Sequence, residues 1–210
     1  MSKHDIETAS VEATPPQRAL GHTNGATKYV PRPSTIGNPG TLITHPNVVV
    51  GMAIFCGGLA QLLAGMWEFP RGNVFGGTAF TSYGAFWMAY ATILIPSSGI
   101  LAAYQNKSEL QSALGIFLTA WTMVTWFFFV GALGKNIAFI ALFGFLGITF
   151  AALAAGEFYA SAGSTKAGGV LGVVTAFIAY YIGLSELLAT EAHPVVRLPL
   201  GLLHTNRKQD

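Results

Sequence analysis

From Asn47 onward the chain alternates long apolar runs with short polar breaks, and the runs predict helices over about 47–68, 74–95, 110–133, 136–156 and 168–190. A bilayer core of about 30 Å asks for roughly 20 apolar residues per helix, which is the length of these runs; β-barrel strands would recur as alternating stretches of about ten. The expected class is therefore an all-α integral membrane protein, a helical bundle with five spans. Glu68-Phe69-Pro70-Arg71-Gly72-Asn73 forms the first break, and Pro96 ends the second helix because proline disfavours helix in the residue before it. Residues 97–105 have the composition of a short interfacial helix, Gly134-Lys135-Asn136 reads as a tight turn, and 157–167 as a longer polar break.

The flanks differ in kind. Residues 1–46 are rich in Pro, Ser, Thr and Gly with no sustained apolar run, so they are expected to be a disordered tail. They lack the apolar core of a signal sequence, and Asp5, Glu7 and Glu12 argue against a transit peptide. Residues 191–210, with Pro194 and Pro199, read as a polar C-terminal tail.

Composition agrees with the pattern. Hydrophobic residues make up 52% of the chain and charged residues 10%, with a mean hydropathy of +0.51. A net charge of +2 with scattered basic residues implies no nucleic-acid partner. Cys56 is the only cysteine, and the histidines lie in the tails without ligand spacing, so neither an internal disulfide nor a metal site is expected. No nucleophile with an adjacent base, phosphate-binding loop or paired metal carboxylates is present, so neither enzymatic chemistry nor a cofactor is expected.

The informative exceptions are polar side chains in or beside apolar runs: Gln61, Glu68, Asn73, Thr78, Ser82 and Tyr83. A stranded amide or hydroxyl in hydrocarbon costs roughly 2–7 kcal/mol, so these groups must meet a partner helix or a watered path. Gln61, Thr78 and Ser82 suit either role. Glu68 and Asn73 flank the first break, where Glu68 could take a proton, pair with Arg71 or simply be solvated. Small residues at helix-packing spacing (Ala60 and Ala64; Gly147, Ala151 and Ala155; Gly168 and Gly172) predict close helix contacts within the bundle or between protomers. Trp121, Trp126 and Phe127 to Phe129 are expected on a lipid- or neighbour-facing surface rather than in a ligand cage.

The segments GGLAQLLAGMWE, GNVFGGTAFTSYGAFW and KAGGVLGVVTAFIAYY resemble the acetate uptake transporter family, also called succinate–acetate permeases, in its fungal branch; the resemblance covers about residues 38–200. It implies a plasma-membrane protein built from six transmembrane helices and assembled as hexamers, with a path for acetate or related short monocarboxylates, alone or with a proton, through each protomer. It also implies a constriction lined by Tyr83 of the SYG triplet, Leu146, and a phenylalanine of the first family helix.

That first helix has no evident counterpart. Its signature begins at Asn38-Pro39 and breaks off, and within a few residues the chain reads Pro46-Asn47-Val48, which in relatives opens the second helix. Charge counting points the same way. Five spans split the Lys and Arg residues six against five across the membrane, whereas one further span after the N-tail places nine on one side and two on the other, with the N-tail cytoplasmic. Two functions are therefore expected to compete: a permease for short carboxylates, or a non-transporting relative that joins or regulates full-length family members.

Overall fold

The computed structural model describes residues 48–203. The expected N-tail, the Asn38-Pro39 signature and the end of the C-tail lie outside the described residues. The long helices are α1 (Val48–Glu68), α2 (Val74–Leu94), α4 (Lys107–Ala132), α5 (Ile137–Phe158) and α6 (Ala162–Ala189), and a short α3 (Ile100–Ala103) follows a single 3-10 turn, Pro96–Ser98. Segment 97–105 is thus partly helical, and α4 and α6 begin several residues earlier than the apolar runs suggested. Asn73, Asn106, Asn136 and Ser161 explain these starts: each side chain accepts a backbone N–H from the first turn of its helix.

Four of these helices, α1, α4, α5 and α6, are long and apolar enough to cross a membrane. Helix α2 has the length but not the hydropathy, because Thr78, Thr81, Ser82, Tyr83 and its glycines dilute the run. The count of five spans expected from the sequence therefore rests on α2, the least apolar of the long helices.

Two modes of packing hold α2. Against α1 it runs antiparallel at close range: a Cβ on Gly65 would lie 2.5 Å from the Thr81 backbone nitrogen, and one on Gly84 2.7 Å from that of Leu62. Within α1, Phe55–Ala60 winds as a wider π-helical segment around the Gly57-Gly58 pair, which faces Trp87 and Met88. Against α4 and α5 the separation is filled by rings instead. Phe86 is 2% exposed, stacks on Phe117, and meets Trp121 and Phe150 edge-on. Lipid tails are as apolar as these rings, so this burial stabilises through dispersion contacts rather than release of water.

Helices α4, α5 and α6 form antiparallel neighbours, with Gly147 facing Trp126 and Gly168 facing Leu153. Ala60, Ala64 and Ala151 are exposed in the single chain; the close approaches of α1 within the bundle are made by Gly57, Gly58 and Gly65. Of the two surroundings expected for the aromatics, Trp121 takes the neighbour-facing one, beside Tyr83 and Phe86, whereas Phe127 is exposed.

The chain beyond Glu191 returns to the bundle. Leu200 and Gly201 carbonyls accept the backbone N–H groups of Ala138 and Ile137, the Leu203 N–H donates to Lys135, and Leu198 and Pro199 carbonyls accept from Ser185 and Tyr181. This strap stitches the start of α5 to the end of α6. Its turn needs Gly201, whose φ of +69° is left-handed and whose Cβ would sit 3.1 Å from Ile137.

Candidate functional site

Tyr83 sits in α2 on the face turned toward α4 and α5. Its phenol donates to Thr125 Oγ1 over 2.9 Å, and Thr125, fully buried, donates in turn to the Trp121 carbonyl over 2.7 Å. The Tyr83 ring lies among Trp121, Phe128 and Phe143. The result is one hydroxyl pair inside an aromatic sleeve. Thr125 was missed by sequence reasoning, since a single threonine in a Trp- and Phe-rich helix looks like any i−4 back-bonded hydroxyl; its signal was the pairing of two otherwise homeless hydroxyls in neighbouring spans.

Leu146 is partly buried and packs against the same core cluster that contains Tyr83 and Phe143. Both residues expected at the constriction therefore border one core cluster, Tyr83 as a member and Leu146 packed against it. The other expected path residues are elsewhere. Thr78 is exposed and bonds back to the Val74 carbonyl over 2.8 Å. Ser82 and Gln61 are half-buried. Thr78 and Ser82 continue at helical spacing into Ala85 and Ala89, a face of small residues that is largely uncovered among the described residues.

Glu68 and Asn73 form a corner between α1 and α2. Asn73 Nδ2 donates to Glu68 Oε2 over 2.7 Å while its Oδ1 accepts the Gly76 N–H, and Arg71 Nε lies 3.7 Å from Glu68 Oε1. The carboxylate is therefore engaged in holding the turn. At the same end of the bundle the Lys135 ammonium sits 4.5 Å over the Phe75 ring, and Phe75 meets Phe128, Phe139 and Phe143 edge-on. Among the described residues no group of His, Cys, Asp and Glu is arranged to hold a metal.

The profile of the GPR1/FUN34/yaaH family matches residues 35–202. The chain belongs to this family. Over 161 residues it is 51% identical to ammonia transport outward protein 2 of Saccharomyces cerevisiae, covering 76% of this chain and 57% of that protein. Over 156 residues it is 40% identical to acetate permease A of Emericella nidulans, with 69% and 52% covered. The succinate-acetate/proton symporter SatP of Escherichia coli is 35% identical over 158 residues, 75% of this chain and 81% of that one. The chain spans 49% to 59% of the length of the fungal relatives it matches. The solved structure of the bacterial acetate channel SatP superimposes with a TM-score of 0.68 at 32% identity, over 77% of this chain and 87% of that one. This family member therefore shares an all-helical membrane fold with a known channel.

Proposed function

We propose that this chain is a permease for acetate or a similar short monocarboxylate, and that the anion passes between Tyr83 and Leu146. The observation that carries this reading is the Tyr83–Thr125 hydroxyl pair held in a sleeve of aromatic rings, in a chain whose fold matches a solved acetate channel. A phenol offers a hydrogen bond to a carboxylate without a fixed charge that would trap it. The apolar walls favour a small methyl-bearing solute over ions that must shed more water. The uncovered face of Thr78, Ser82, Ala85 and Ala89 supplies a weakly polar approach on α2. Likeness to the bacterial channel and to the fungal permease supports a membrane protein; the reading adds a place in the plasma membrane, a cytoplasmic N-terminal tail and a hexameric assembly, as the sequence resemblance implies. Catalysis has no place in this reading.

Purified chain reconstituted alone into liposomes tests it. Labelled acetate should accumulate faster than in empty vesicles and be displaced by unlabelled propionate more effectively than by ammonium. Flux equal to that of empty vesicles from correctly folded protein would leave the non-transporting role, in which the chain acts through full-length relatives. Displacement by ammonium alone would instead place it with the ammonia transport relative.

A further inference from the structure

We propose that Lys135 is the anion-recruiting residue at the end of the bundle, and that the Phe75 ring is its resting place between arrivals. The inference rests on the carboxylate reading above and adds the group that first meets the substrate. Three observations carry it. The ammonium lies 4.5 Å over the Phe75 ring, with no carboxylate in ion-pair range among the described residues, whereas Arg71 at the neighbouring corner already lies beside Glu68. Lys135 is half-buried, at the point where the loop between α4 and α5 meets the first turn of α2. Phe75 continues directly inward, because its edge contacts Phe128 and Phe143, and both of those rings contact Tyr83.

The surrounding backbone leaves this task to the side chain. The start of α5 would ordinarily offer free N–H groups to an anion. Here Ile137 and Ala138 donate to the strap carbonyls of Gly201 and Leu200, and Phe139 donates to Asn136 Oδ1. An arriving carboxylate therefore meets the Lys135 ammonium rather than these backbone N–H groups. A ring face attracts an ammonium more weakly than a carboxylate does, so the lysine can transfer from ring to anion and return once the anion has moved inward. Fixed by the Leu203 N–H bond to its own carbonyl, the Lys135 backbone stays in place while its side chain swings.

Acetate flux into liposomes, measured at low and high ionic strength, separates recruitment from a merely structural cation. Lys135→Gln should raise KM several-fold at low salt with kcat unchanged, and the gap should close at high salt as charge attraction is screened; Lys135→Arg should retain the wild-type KM. An unchanged KM in Lys135→Gln would overturn the proposal, as would equal losses of kcat in the Gln and Arg variants. Should the wild-type chain carry no flux, the permease reading fails, and saturation-transfer NMR with acetate on the purified chain still decides about Lys135. Transfer that weakens in Lys135→Gln supports an anion site there, and equal or absent transfer overturns it.

Discussion

Tyr83 and Thr125 are joined by a 2.9 Å hydrogen bond across the space between α2 and α4, with the Tyr83 ring set among Trp121, Phe128 and Phe143. Thr125 keeps a second bond, to the Trp121 carbonyl, so the pair is polarised in one direction, from phenol to threonine to backbone. Removing the phenol leaves Thr125 satisfied as a donor. Tyr83→Phe should therefore fold and cost only about 1 kcal/mol of stability. Tyr83→Phe and Thr125→Val should be less than additive when combined, because both delete the same bond. Thermal unfolding of the single and double variants in detergent measures this directly.

The α1–α2 contact depends on absent side chains. Gly84→Ala places a methyl 2.7 Å from the Leu62 nitrogen, and Gly65→Ala one at 2.5 Å from the Thr81 nitrogen; neither neighbour is a flexible side-chain end that can give way. Each should destabilise the chain by about 1–3 kcal/mol. Gly51→Ala is the control, since nothing lies within 4 Å of its added Cβ, and it should leave stability unchanged or raise it by up to about 1 kcal/mol. Comparing the three melting temperatures checks the interface.

The C-terminal strap makes a local prediction. Tyr181→Phe combined with Ser185→Ala removes the two side-chain bonds that hold Leu198 and Pro199. The strap carbonyls should then release the first turn of α5. Hydrogen exchange at the Ile137 and Ala138 amides should accelerate by roughly tenfold or more, in line with loss of about 1 kcal/mol per bond, while the middle of α5 stays protected.

Most of the helical scaffold is legible in the sequence because membrane spans declare themselves by uninterrupted apolar length, and Pro96 marks where α2 stops. The interior is less legible. A tryptophan such as Trp121 reads the same facing lipid or facing Phe86, since both surroundings are apolar and periodicity carries no contrast between them. The strap was hidden for a different reason: Pro194 and Pro199 break any regular pattern, and its stability comes from carbonyls pairing with a distant helix start. Tyr83 and Leu146 emerged through family resemblance, and Thr125 emerged only once α2 and α4 were seen side by side. Glu68 and Asn73 were found as polar exceptions, but their roles in the α1–α2 corner follow from bonds no spacing rule specifies.

The passage of acetate between Tyr83 and Leu146 is tested most directly by proteoliposome flux through Leu146 variants that retain the wild-type melting profile. Leu146→Arg should abolish acetate uptake by filling the constriction, and Leu146→Ala should keep acetate flux while admitting larger carboxylates such as succinate more readily. Wild-type acetate flux in Leu146→Arg, with unchanged selectivity in Leu146→Ala, would contradict the account.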